Sequence, residues 1–218
     1  RFRVIHGDVG IYSSPDGSFL KTFEFEESLR ETITMNETDL FYLRKLHFLI
    51  DFCWNSEVYK IMLQRLKFYG INPIDLLEKL VSQHAITDAQ GQKFIPELQE
   101  FWNKFDQMSH DEWFDSEEDI ISYFSDQYNF NRLANQKFDK LNIYYGLILL
   151  RDYKPIFDEA ILHFAKSFEN VPVSIVEAAA SIAFATFPAV SQESLDVVVE
   201  TPQNFFDLNE QNASEFQL

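Results

Sequence analysis

The stretch from Asn36 to Gly70, NETDLFYLRKLHFLIDFCWNSEVYKIMLQRLKFYG, holds two dense helical patterns broken once near Trp54–Asn55–Ser56. It limits the choice of fold more than any other part of the chain. Asn36 can cap the first pattern, with Glu37 and Asp39 in the first turn, where negative charge suits the helix dipole. Leu40, Leu43, Leu46 or His47, Ile50 and Cys53 or Trp54 recur at helical spacing, while Phe41, Phe48 and Phe52 lie on another face. A helix apolar on more than one side is enclosed by others. The second pattern carries Val58, Ile61, Met62, Leu66 and Tyr69 and stops at Gly70, a left-handed terminator. This pair predicts the centre of a helical core.

With 23 Phe and only 6 Gly, the chain fills its interior with large flat side chains and builds few tight glycine turns. The formal charge of -17 argues against nucleic acid as a partner, because phosphate binding needs concentrated Lys and Arg. It equally disfavours anionic membranes. A basic protein partner remains compatible with it. The single cysteine, Cys53, excludes an internal disulfide framework and any all-cysteine metal site held by this chain alone. Val171 to Val190 has Glu177 as its only charge and is bracketed by Pro172 and Pro188, so it reads as a buried helix too short to span a bilayer. No cleavable signal is read at the start, and a cytoplasmic protein is expected. An Arg in first place reads as a trimmed end or a piece of a longer polypeptide.

Residues 1–24 form the one convincing β region. Ser14–Pro15–Asp16–Gly17 is a turn signal between two strands, with Phe2, Val4, Val9, Ile11, Phe19 and Phe23 on the apolar side. Residues 25–200 read as one helical domain. Asn72–Pro73 opens a helix with a cap and a first-turn proline, and 82–93 is a polar loop. Pro96 opens a helix carrying Leu98, Phe101, Trp102 and Phe105, and Ser116 with Asp119 caps the next. A long helix over 131–150 carries Leu133, Phe138, Leu141, Tyr145 and Leu149 and is punctuated by Lys154–Pro155. Ser174 with Glu177 forms a capping box, 195–200 a short edge strand, and 201–218 a loose polar tail. The predicted class is mainly α, a multi-helix bundle with a small N-terminal β-hairpin.

No residue set in this sequence has the spacing of self-contained chemistry. None of His6, His47, His84, His110 and His163 sits in a metal motif, and His47 reads as a hydrogen-bonded core residue. Asp115, Glu117 and Asp119 alternate like a calcium loop, but Ile120 stands where that loop needs glycine. Gly7 and Gly10 lack the third glycine and following helix of a phosphate cradle. Cys53 on an apolar helical face reads as an inert thiol.

The stretches GDVGIYSSPDGS (7–18) and TFEFEESLRETITMNETDLFYLRKLHFLIDFCWNSEVYK (22–60), followed by KFYGINPIDLLEKL (67–80), resemble the region after the catalytic barrel of cobalamin-binding radical S-adenosylmethionine enzymes. The resemblance covers about the first third of the chain, and more weakly the helices over 110–170. It implies a non-catalytic accessory domain that caps the barrel or shapes the substrate pocket, with 1–24 as the end of that barrel. Any [4Fe–4S] cluster, S-adenosylmethionine and cobalamin would then be held by upstream domains of the same polypeptide, the expected partner. Chain proximity to the hairpin and the helix break nominates Trp54, Asn55 and Tyr59 as the interface with those domains. The alternative expectation is a free-standing acidic helical module that binds a protein partner through its aromatic residues.

Overall fold

In a computed structural model of the chain, residues 1–83, 85–88, 91–135, 140–188, 199–202 and 205 are described. The protein is mainly α with an N-terminal β-hairpin. Its backbone contacts divide into two compact units. The first comprises Arg1–Arg44 and Trp102–Tyr145, the second Lys45–Phe101 and Gly146–Leu218.

In the first unit, β1 (Phe2–Ser13) and β2 (Phe19–Glu27) pair antiparallel, with Val4 opposite Phe25, Val9 opposite Phe23 and a register shift between. Their turn is built by the residues its sequence calls for. Gly17 takes φ +84°, and Asp16 Oδ1 accepts hydrogen bonds from the Ser18 amide at 2.9 Å and hydroxyl at 2.6 Å. The base of the hairpin is anchored. Val4, Ile120, Phe124 and Leu133 form a buried cluster, with Phe2, Val9, Phe23, Phe25 and Phe114 packed on it. Two helices supply the far side, α5 (Glu117–Ser125) and α6 (Gln127–Ala134), capped by Ser116 and Asp126. Towards the tip the same strands leave the core, so Ile11 and Phe19 are exposed rather than apolar filling.

The helices α2 (Lys60–Phe68) and α3 (Pro73–Ser82) belong to the second unit, and α1 (Glu37–Ile50), α4 (Pro96–Asp111) and α7 (Leu141–Ile148) each contribute residues to both. Helix α1 opens on a reciprocal cap: the Asn36 amide donates to Asp39 at 2.9 Å, and the Asp39 amide to Asn36 at 3.0 Å. Its buried residues, Phe41, Leu46, Phe48 and Leu49, come from both the leucine and the phenylalanine stripes, while Leu43 and His47 are exposed. Helix α2 ends at Gly70 (φ +81°), with the Ile71 amide returning to the Leu66 carbonyl at 3.0 Å.

In the second unit, α8 (Lys154–Lys166) and α9 (Val173–Thr186) pack with α2 and α3. Ala178, Ala179, Ala180 and Ala183 are all buried on α9, and their small side chains let neighbouring backbones approach. Two π-helical turns, Asp51–Asn55 and Leu149–Tyr153, interrupt the helical geometry. The second leads straight into α8. Pro155 sits in the first turn of α8, where its missing N–H breaks no ladder, so the expected punctuation is a widened turn rather than a stop.

Other expectations change for local reasons. The polar loop at 82–93 contains a second antiparallel pair, β3 (Ala85–Asp88) with β4 (Gly91–Phe94). The helix expected over 131–150 is two, because the Asn135 side chain donates to the Asn131 carbonyl at 2.7 Å and closes α6. Pro172, extended at ψ 130°, takes the cap position two residues before the predicted cap, which leaves Ser174 inside the helix. Glu177 then pairs with Lys166 at 2.6 Å. Strand β2 runs on to Glu27. Phe138 and most of 195–218 lie outside the described residues.

The contrast between base and tip is measurable by urea unfolding. Phe124→Ala is expected to cost about 3–5 kcal/mol as a buried ring is lost. Phe19→Ala, 76% exposed, is expected to cost no more than about 0.5 kcal/mol.

Candidate functional site

Lys154 opens α8 with its side chain wholly enclosed, and it lies one turn from Asp158, whose side chain is 20% exposed. Spacing of four residues on a helix brings the two together, and Nζ donates to Asp158 Oδ1 at 2.5 Å. The Tyr59 hydroxyl donates to the same oxygen at 2.9 Å. Two rings face the ammonium: its nitrogen is 4.9 Å from the Tyr59 centroid and 5.1 Å from that of Phe184. Cys53, also enclosed, belongs to the first π-helical turn, and Lys154 follows directly on the second. Wide turns of this kind re-aim side chains that a regular helix would send elsewhere.

Burial dominates the electrostatics of this cluster. It pulls the Lys154 ammonium below its ordinary range, against the attraction of Asp158. It pushes the Asp158 carboxyl up, against the bonds from Lys154 and Tyr59. The Tyr59 phenol rises further, first through burial and then through the facing carboxylate. Burial raises the Cys53 thiol well above its usual value, so it carries no nucleophilic thiolate at neutral pH. The Lys154, Asp158 and Tyr59 groups bond one another within the enclosed cluster.

A second ionic cluster lies in the first unit. The Arg30 guanidinium is 4.4 Å from the Trp113 ring centroid and 5.0 Å from that of Phe41, and Arg3 covers Trp113 at 4.9 Å. Glu26 takes Arg3 at 2.5 Å, Glu37 lies 3.5 Å from Arg30, and Arg44 pairs with Glu112. This arrangement fastens the connector after β2 against α1.

The sequence-nominated residues fare differently. Tyr59 is wholly buried and spends its hydroxyl on Asp158, so it offers no surface to another domain. Trp54 is half-buried with the Lys60 ammonium 6.0 Å from its ring, and Asn55 is exposed, donating to Asp51 at 3.3 Å. Asp119, one of the three alternating acids, accepts the Ser116 hydroxyl at 2.7 Å in a helix cap. Among the described residues no group of three or more His, Cys, Asp or Glu could hold a metal ion. A cluster-binding loop needs three cysteines, and the lone enclosed Cys53 does not fit it. Lys154, Asp158, Arg30 and Trp113 escaped sequence reading. The i, i+4 spacing of Lys154 and Asp158 was visible, but not their burial.

The chain matches no protein-family model, no curated protein and no solved structure. No helix among the described residues is long and apolar enough to cross a membrane.

Lys154→Met alone leaves the Asp158 carboxylate without its cation and is expected to cost about 3–5 kcal/mol in urea unfolding. Lys154→Met with Asp158→Leu removes both charges and is expected to match the wild type or exceed it by about 1–4 kcal/mol. The pH dependence has a definite sign. A carboxyl raised from 3.8 keeps its proton longer in the folded state, so its stabilisation is complete below 3.8 and is lost as pH climbs through the folded value. The stability of wild type relative to Asp158→Asn is therefore expected to fall between pH 4 and pH 7.

Proposed function

We propose that this chain is a docking domain, the non-catalytic C-terminal accessory region of a cytoplasmic, cobalamin-binding radical S-adenosylmethionine enzyme. The observation that carries the docking role is the hairpin tip. Ile11, Tyr12, Phe19 and Leu20 are 57%, 60%, 76% and 60% exposed on strands whose base is held by a phenylalanine cluster. Tyr12 pairs with Leu20 on one face, and Ile11 and Phe19 share the other with Lys21 and Ser13, so each face of the tip presents apolar side chains. A rigidly anchored ribbon with apolar faces and open edges is suited to adding itself to another domain's sheet. The proposed occupant is the upstream domains of the same polypeptide, as the resemblance of 7–60 implies. Trp54 and Asn55 supply a second proposed contact. Cluster, S-adenosylmethionine and cobalamin belong in this reading to those upstream domains.

The second reading, a free-standing acidic interaction module, is favoured by one surface. Asp111, Asp115, Glu117, Glu118 and Asp119 are exposed within nine positions, which suits a basic protein partner.

Mass separates the two. An antibody against this chain should detect a natural polypeptide of about 60–80 kDa, the size of this domain with two more. That polypeptide should assemble an oxygen-sensitive iron–sulfur cluster. A band near the 25.7 kDa of this chain would sink the first reading and leave the second. Ile11→Asp with Phe19→Asp is expected to abolish capture of the separately expressed upstream domains by this chain while changing stability by no more than about 0.5 kcal/mol. Undiminished capture would remove the tip as the docking surface.

A further inference from the structure

Of the 6 glycines, Gly17 alone follows an Asp or an Asn. Asp16–Gly17 lies exposed at the end of the hairpin, in a three-residue loop between Ser14 and Ser18. A pair of this kind carries chemistry of its own. The Gly17 nitrogen has no β-carbon beside it to block its approach to the Asp16 side chain, and no atom lies within 4 Å of where that carbon would stand. In the first step that nitrogen attacks Asp16 Cγ and loses its proton, one carboxyl oxygen leaves as water, and a succinimide ring closes. Water then opens the ring. Opening at the Asp16 main-chain carbonyl leaves Gly17 bonded to Cγ and frees an α-carboxylate, an isoaspartyl linkage with one extra methylene in the backbone. One water leaves and one enters, so mass and charge are unchanged, and no oxidant, reductant or cofactor takes part.

The loop restrains both reacting groups. Gly17 N–H donates to the Ser14 carbonyl at 2.9 Å, and the Ser14 amide donates to the Ser18 carbonyl at 2.7 Å. Asp16 Oδ1 accepts the Ser18 amide at 2.9 Å and the Ser18 hydroxyl at 2.6 Å. The Ser18 hydroxyl first, then its amide and the Ser14 hydroxyl, hold the Asp16 carboxyl below its ordinary range. Ring closure needs the protonated acid, because an ionised carboxylate is a poor electrophile whose oxygen cannot leave as water. It also needs the Gly17 nitrogen released from Ser14.

We propose that Asp16–Gly17 is a modification site, a point of backbone isomerisation that Ser18 holds in check. While Ser18 grips Asp16 the loop keeps its aspartate, and when that grip is lost Asp16 converts to isoaspartate. The added methylene lengthens a loop whose ends are joined by the Ser14–Ser18 bond, so the adjoining Ser13–Phe19 pair is pushed out of register. This inference stands apart from the docking role of the hairpin.

The test uses the full chain, kept folded at neutral pH for several weeks. Isoaspartate at position 16 is counted by electron-transfer fragmentation of the tip peptide, which separates the two linkages at equal mass. Ser18→Ala is expected to convert about tenfold faster than wild type, the factor that one hydrogen bond to a charged group supplies. Ser18→Thr keeps the hydroxyl and is expected to stay within about twofold of wild type. Wild type unfolded in guanidinium chloride is expected to convert faster than any folded chain. Equal rates for wild type and Ser18→Ala, or for folded and unfolded wild type, overturn the proposal. So does an unfolded chain that forms no isoaspartate at position 16. If Ser18→Ala loses its helical circular dichroism, Ser14→Ala takes its place. It removes another bond to the same carboxylate, so faster conversion supports the proposal and an unchanged rate refutes it.

Discussion

Lys154 places a positive charge in an interior built of phenylalanine and alanine, and much of the second unit is organised around answering it. Asp158 accepts a hydrogen bond from the Lys154 ammonium and another from the Tyr59 hydroxyl, and the rings of Tyr59 and Phe184 face the ammonium. Lys154 and Asp158 come from α8, Tyr59 from the start of α2 and Phe184 from α9. The charge pair therefore ties the segment after the first π-helical turn to α8 and α9. Its desolvation outweighs its attraction on both partners, as the directions of their shifts show. A pair of that kind specifies an arrangement more than it stabilises one.

Around it, aromatic packing does most of the filling. Phe101 meets Tyr153 at 5.2 Å and Phe157 at 5.1 Å, both edge-on, and Phe48 meets Phe52 and Phe101 at 5.9 Å. Edge-to-face contacts suit the ring quadrupole and fix orientation as well as volume. The alanines of α9 do the complementary work, since large rings on one side need small residues on the other to keep interior density. The polar cluster and the apolar core thus depend on each other: rings shield the charges, and the charges set the register of the helices that carry the rings.

In the first unit the hairpin is tied down mainly at its base, and Lys21, further out on β2, also reaches α6, bonding Gln127 and facing the Phe130 ring at 5.1 Å. Its base is fixed by the Phe124 cluster and by paired backbone bonds between Phe2 and Phe114 at 2.8 Å. Its tip holds exposed apolar residues that the unit's own core does not use. That division of one hairpin into an anchored half and a presented half is the physical basis of the docking role proposed for the chain.

Local rules were legible in the sequence. The caps at Asn36, Asn72 and Ser116, the glycine stop at Gly70 and the Pro-Asp-Gly turn all depend on residues within a few positions of one another. So did the mainly α class, since helical periodicity is a short-range signal. The sites were not legible, for the opposite reason. Lys154 meets Tyr59 across 95 positions, by subtraction of their numbers. Nor could spacing decide that Leu46 and Leu49 of α1 would be buried while Leu43 stayed exposed. Periodicity records which faces are available, and only the packed neighbours determine which one loses its water.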